Sequence, residues 1–180
     1  QVTVDLSPDD NSTADGKVYQ TTYRYDGSSN RLAGIDQTDG SKLSFTYLQV
    51  NGEYRLETVT DGLNRVTRFA YDTSTRTTTV FDAYNYATRY RYDTEGRLLS
   101  VSAPSTAAGV QSVTFQYDGD GNLFRSVDGQ NNAVVYTYDA AGNQISQQDD
   151  LGNRIERTYG SANQLLTETT FVTPDPDGAG

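Results

Sequence analysis

The 180-residue chain contains no histidine, cysteine, methionine or tryptophan, and only four prolines. Without His and Cys it can hold no Ser-His-Asp triad, no Cys-His pair, no disulfide and no His- or Cys-ligated zinc. A cysteine-free chain fits either redox compartment. No apolar run reaches the 18 residues that span a bilayer, so membrane insertion is not expected. Lysine is nearly absent: Lys17 and Lys42 join twelve arginines against nineteen aspartates and five glutamates, for a net charge of −10. The arginines are scattered along the sequence, and an acidic chain of this kind repels nucleic-acid phosphate. With Gln at position 1, no Met and no signal peptide in view, the chain reads as a mature or excerpted segment of something longer.

Tyrosine is what the sequence has in plenty, and it is placed on a lattice. Tyr25, Tyr47, Tyr71, Tyr92, Tyr117, Tyr138 and Tyr159 are separated by 22, 24, 21, 25, 21 and 21 residues. Five are followed by Asp (Asp26, Asp72, Asp93, Asp118, Asp139), and Asp61, Asp82, Asp128 and Asp149 each stand ten residues before one. Self-similarity at this period marks an array whose units cannot bury their apolar faces alone.

One unit reads as two strands and two turns. Before each anchor, Tyr23, Phe45, Phe69, Tyr90, Phe115 and Tyr136 stand two residues upstream, with Arg157 the exception. Positions one and three upstream are mostly polar. This period-two alternation is a half-buried strand (strand B) with the tyrosines on its packed face. Asp with Gly or Asn then signals a turn, and a second, less regularly alternating run follows, such as Leu98–Val101 or Leu123–Val127 (strand A). Two strands and two turns in about 21 residues leave no room for a helix. The expected fold is therefore all-β: one continuous antiparallel sheet of about fifteen strands, roughly 70 Å wide at about 4.8 Å per strand, coiling into a wall, shell or tube.

The array is expected over the whole chain as about seven units: a partial unit at 1–16 with strand A at 2–6, repeats over 17–172, and a C-terminal loop at 173–180. Tyr47 is followed by Leu48 rather than Asp and leads to Val50-Asn51-Gly52-Glu53, a two-residue hairpin signal that lengthens its unit. Segment 103–110 accounts for the 25-residue gap. Pro8, Pro104 and Pro174 follow strand A in related surroundings, which suggests a higher-order repeat. Both ends of the strip fall on strand A, so neighbouring repeats or copies of the chain are expected at the open edges. If the tyrosine face is truly buried, Tyr92→Ala or Tyr138→Ala should cost roughly 3–5 kcal/mol.

The string Tyr90-Arg-Tyr-Asp-Thr-Glu-Gly-Arg-Leu98, repeated as Phe115-Gln-Tyr-Asp-Gly-Asp-Gly-Asn-Leu123, closely resembles the YD repeat of the Rhs family. The resemblance covers about residues 17–172. It brings in Rhs polymorphic toxins, the B and C components of insecticidal toxin complexes, and teneurins. It implies a long sheet spiralling into a hollow shell, which in the toxins encloses a cargo polypeptide. Neither that family's core segment with its aspartate autoprotease nor a variable toxin domain is found in these 180 residues. The residues carried over are structural: the anchor tyrosines and their aspartates.

Chemistry is left to carboxylates. Asp149-Asp150 and Asp118/Asp120 supply acids for a glycosidase pair, but neighbouring aspartates in a strand or turn point apart and no cleft is apparent. Asp118, Asp120 and Asn122 place oxygens at alternate positions as calcium loops do, yet the sixth-position Gly and twelfth-position Glu are missing, Gly129 standing in the latter place. Asp9-Asp10 and Asp175/Asp177 are similar candidates. Turn formation is the ordinary use of such aspartates, and no cofactor is implied. Aromatic rows also suit stacking on surface glycans, against which stands their use as core or shell lining. Tyr fits a wall wet on one side, its ring packed and its hydroxyl solvated. The sequence thus points to a non-enzymatic, secreted or cell-surface structural segment, with an adhesion or carbohydrate-binding module, or part of a toxin-delivery protein, as the alternatives.

Overall fold

The computed structural model describes residues 1–6, 13, 14, 16, 18–104 and 111–171. Pro8, Asp9, Asp10, Lys17, Pro174, Asp175, Asp177, most of segment 103–110 and the C-terminal loop lie outside them.

All regular structure among the described residues is strand, with no helix. The strand A positions are β1 (Val2–Asp5), β3 (Leu32–Gln37), β5 (Glu53–Asp61), β7 (Thr77–Phe81), β9 (Leu98–Ser102), β11 (Leu123–Asp128), β13 (Gln144–Asp149) and β15 (Leu165–Thr170). The strand B positions are β2 (Val18–Tyr25), β4 (Lys42–Val50), β6 (Val66–Asp72), β8 (Ala87–Tyr92), β10 (Ser112–Tyr117), β12 (Ala133–Tyr138) and β14 (Arg154–Tyr159). Hydrogen-bonding order follows the sequence from β1 to β15, without a crossover, in one fifteen-stranded sheet. Two compact units are present, residues 1–73 with 78–87 and residues 74–77 with 88–180.

In the first unit Tyr23 pairs with Ile35 and Ile35 with Leu43, while Phe45 pairs with Val59 and Val59 with Thr67. Side chains alternate along a strand. Tyr25, Tyr47 and Tyr71 therefore share one face. In the second unit the pairs Tyr90–Val101–Val113, Phe115–Ser126–Val134 and Tyr136–Gln147–Ile155 put Tyr92, Tyr117, Tyr138 and Tyr159 on one face in the same way. The other face carries mainly Ser, Thr, Gln and Arg. Cross-strand hydroxyl pairs join Thr46 to Thr58 (2.8 Å), Thr137 to Ser146 (2.6 Å) and Thr158 to Thr167 (2.6 Å).

The irregular alternation of strand A has a structural cause. Gln116 pairs with Arg125 but Tyr117 with Leu123, so Phe124 is an extra residue, a β-bulge. The same register shift makes Ala33, Glu57, Leu99, Ile145 and Leu166 the extra residues beside Tyr25, Tyr47, Tyr92, Tyr138 and Tyr159. A one-residue insertion switches the face on which the following side chains lie. Strand A then cannot alternate as strand B does.

The tyrosine face is not a closed core. No hydrophobic residue is fully buried among those described, and the anchors are half-buried except Tyr25, which is 56% exposed. In each unit the rings are covered by neighbours on the same face and not by a second layer. The 3–5 kcal/mol expected for a fully buried tyrosine falls accordingly. The long hairpin at Asn51-Gly52 forms as its sequence indicates: both residues have positive φ (51° and 84°), and β4 and β5 have nine residues each against six in β8, β10, β12 and β14.

Candidate functional site

The recurring constellation is a tyrosine, a bulge and an aspartate turn. Strand B pairs with the next strand A over four to eight residues, but β3, β5, β9, β11 and β13 each pair with the next strand B over only three, as in Arg125–Val127 against Ala133–Val135, whereas β1 pairs with β2 over four. Beyond those three pairs the ladder stops. The strand A carbonyl just before the bulge is then available to a donor other than the neighbouring backbone.

The anchor of the following unit supplies that donor. Tyr47 Oη donates to the Leu32 carbonyl (2.8 Å), Tyr71 to Leu56 (2.7 Å), Tyr117 to Leu98 (3.0 Å), Tyr138 to Leu123 (2.8 Å) and Tyr159 to Gln144 (3.0 Å). The acceptor lies fifteen residues upstream in four of these and nineteen in Tyr117, whose unit contains the insertion. The hydroxyl expected to be solvated is thus a link between consecutive hairpins. Phenylalanine could fill the ring position but could not make the link. Burial raises the Tyr71 and Tyr138 hydroxyls above the ordinary phenol pKa, with Tyr136 and Asp118 adding to the shift at Tyr138.

Arginine guanidinium groups cap some of these rings. Arg97 lies 5.1 Å from the Tyr117 ring centre and Arg55 lies 5.4 Å from that of Tyr71. A cation over an exposed ring contributes roughly 0.5–1 kcal/mol.

The lattice aspartates build one five-residue turn many times over. In Asp118–Asn122 the Asp118 amide donates to the Asn122 carbonyl (2.9 Å) and Oδ1 accepts from the amides of Asp120 (3.0 Å) and Asn122 (2.8 Å). Oδ2 accepts from the Asn122 side chain at 3.1 Å. Asp61, Asp82, Asp93, Asp128, Asp139 and Asp149 accept the same two backbone amides. The fourth residue of each such turn has positive φ and is Gly96, Gly121, Gly142 and Gly152, or Asn64, Asn85 and Asn131. These are the residues that adopt the left-handed conformation at least cost. Asn side chains hold Asp118, Asp128 and Asp139 below the usual carboxylate range, with the turn amides contributing next. Successive turns also touch: Asn143 Nδ2 donates to Asn163 Oδ1 at 3.1 Å.

The proposed calcium ligands Asp118 and Asn122 are therefore brought together, but as two ends of one hydrogen-bonded turn, while Asp120 contributes its amide. Among the described residues no group of three His, Cys, Asp or Glu side chains converges on a point where a metal could sit. Asp149 is likewise occupied by its own turn, Oδ2 accepting from Asn153 at 2.6 Å. An open groove of about 580 Å³ lies between the turns at Gln37–Ser41 and Asp61–Arg65. Its acids are committed as well: Asp39 accepts from Ser41 and Tyr19, and Asp61 from Leu63 and Arg65.

Tyrosine-to-bulge links and stacked Asp turns at this period define a repeat, and the family description Teneurin YD-shell matches residues 9–172. The chain belongs to the teneurin YD-shell family. Its sheet is similar in fold to the crystal structure of TcdB2-TccC3, at 18% identity over 85% of this chain and 9% of that chain, with a TM-score of 0.62. Crystal structures of TcdB2-TccC3-TEV (15% identity, 83% and 10% of the two chains) and TcdB2-TccC3-Cdc42 (15%, 89% and 11%) each give a TM-score of 0.52. This YD-shell segment thus spans about a tenth of the length of those solved chains. No curated protein matches it. It is a structural shell segment built from YD repeats.

The sequence does contain a sign of the bulge that its strand periodicity hides. Leu98-Leu99, Leu123-Phe124 and Leu165-Leu166 each set two apolar residues side by side where alternation calls for one.

Proposed function

We propose that this segment is a non-enzymatic part of the wall of a secreted or extracellular shell, tube or fibre, continued at its edges by neighbouring repeats or copies of itself. The observation that carries the reading is that five of the seven anchors, Tyr47, Tyr71, Tyr117, Tyr138 and Tyr159, tie their hairpin to the preceding strand A by the same hydroxyl-to-carbonyl bond. An array held by nearest-neighbour links can be extended indefinitely and is stable only as an array. β1 and β15 each have a single hydrogen-bonded neighbour among the described strands, and every residue of β15 is exposed. Exposed edges favour pairing with more strand. Occupation of the turn carboxylates by backbone amides supports a structural use of the acids over a catalytic one. That the solved structures of similar fold join TcdB2 to TccC3 supports a wall with contributions from beyond this segment.

Light scattering and negative-stain microscopy of the isolated 180-residue chain test the reading. Association into larger species is expected. A stable, monodisperse monomer would mean that the edges are capped, and would remove the main support for a wall.

A further inference from the structure

The face opposite the tyrosines carries charge that the wall does not use. In the second unit, the residues on that face follow from the register: Arg89 pairs with Ser102, Arg91 with Ser100, Ser100 with Thr114, and Gln116 with Arg125. Among charged strand residues of this unit, Arg89, Arg91, Arg125, Arg154 and Glu156 fall on this face. Only Arg154 and Glu156 pair with each other. Arg89, Arg91 and Arg125 make no ion pair or side-chain hydrogen bond among the described residues, and Arg89 and Arg91 are exposed. A chain of net charge −10 thus keeps three unneutralised guanidinium groups on one face of β8 to β11. Arg89 and Arg91 are two residues apart in sequence, and the sheet brings the distant Arg125 onto the same face.

We propose that this face binds a linear anionic polysaccharide bearing sulfate or carboxylate groups. Arg89 and Arg91 stand two residues apart on one strand, a backbone separation of roughly 7 Å, and Ser100, Ser102 and Thr114 stand on the next strands, whose backbones lie about 5–10 Å to one side. Guanidinium forks match planar oxyanions with two parallel hydrogen bonds. Serine and threonine hydroxyls both donate and accept, as sugar hydroxyls require. An acidic peptide fits less well. Peptides gain affinity from sheet edges and side-chain pockets, whereas both edges of β9, β10 and β11 are already paired. A single-stranded nucleic acid needs aromatic stacking platforms, and the aromatics of β8, β10 and β12 lie on the opposite face. The inference goes beyond the wall role and does not depend on it.

Dextran sulfate and polyuronate are the probes, with polyglutamate, a single-stranded oligonucleotide and anionic vesicles as comparators, measured by calorimetry over a range of salt. Binding of the polysaccharides that weakens with added salt is expected, and Arg89→Gln/Arg91→Gln should weaken it roughly tenfold. Arg24→Gln/Arg65→Gln removes the same charge from arginines already paired to Asp36 and Asp61 and should leave it nearly unchanged. Far-UV spectra and melting of both variants establish that they fold, which is expected because Arg89 and Arg91 hold nothing in place. Equal losses in the two variants, no polysaccharide binding by the folded chain, or tighter binding of any comparator would overturn the proposal.

Discussion

Replacing Tyr138 by Phe removes a single hydroxyl and isolates the link between hairpins. Tyr138 Oη donates to the Leu123 carbonyl at 2.8 Å, in a region where the β11–β12 ladder has ended, so no backbone amide of β12 takes its place. A net intramolecular hydrogen bond is worth about 0.5–1.5 kcal/mol, and the half-buried carbonyl left behind recovers part of its solvation. The expected cost is about 1 kcal/mol, equivalent to roughly 2–4 °C in melting temperature for a chain of this size. Tyr138→Ala also loses about half the apolar burial of the ring, for a total of about 2–3 kcal/mol. Tyr136 provides the control: it is on the same strand and face, but its hydroxyl reaches only Ser126 Oγ, at 3.4 Å. Denaturant unfolding of Tyr138→Phe, Tyr136→Phe and the parent should show Tyr138→Phe alone destabilised. Equal effects of the two Phe variants would refute the idea that the anchors act through their hydroxyls.

Other expectations follow from the turns. Gly142 has φ 82° with no close neighbour for an added Cβ apart from Asn122 Oδ1 at 3.9 Å. Gly142→Ala should therefore cost about 1–2 kcal/mol through backbone strain alone, and Gly142→Asn less, since Asn64 and Asn131 occupy the same turn position; thermal melting distinguishes them. The carboxyl pKa values of Asp118, Asp128 and Asp139 are lowered in the folded chain, so they bind fewer protons than when unfolded. Their contribution is complete above the unfolded value near 3.8 and is lost as pH falls through the lower folded values. Melting temperature should thus drop below about pH 4, less steeply in a variant with Asp139→Asn. Calcium would have to displace amides from Asp118, so the melting temperature should not respond to calcium or chelator; a rise with calcium that disappears in Asp120→Ala would establish a site there.

Strand B and the aspartate turns were legible because each is a local pattern: alternation ending at an anchor tyrosine, then Asp followed by a Gly or Asn with positive φ. Strand A was legible only in position. Its bulge adds one residue, so Leu123, Ser126 and Asp128 share a face that simple alternation from Leu123 would give to Arg125 and Val127. The hydroxyl links could not be read from residue types, since the acceptor is a backbone carbonyl whose availability depends on where the ladder stops. Alternation also cannot distinguish a face covered by a second layer from one left half-open, which is why the tyrosine face looked more buried than it is. Alternation along β8 puts Arg89 and Arg91 on one face, but that Arg125 shares it follows only from the register of β8 to β11.

The central claim is that these hairpins are consecutive pieces of a larger wall. Cryo-electron microscopy of the longest natural polypeptide carrying this sequence tests it most directly. The account predicts further strands hydrogen-bonded outside both β1 and β15, with the Tyr47, Tyr71, Tyr117, Tyr138 and Tyr159 hydroxyls each on a carbonyl of the preceding strand A. A map in which β1 or β15 ends the sheet against solvent, with the segment standing apart as a closed domain, would contradict it.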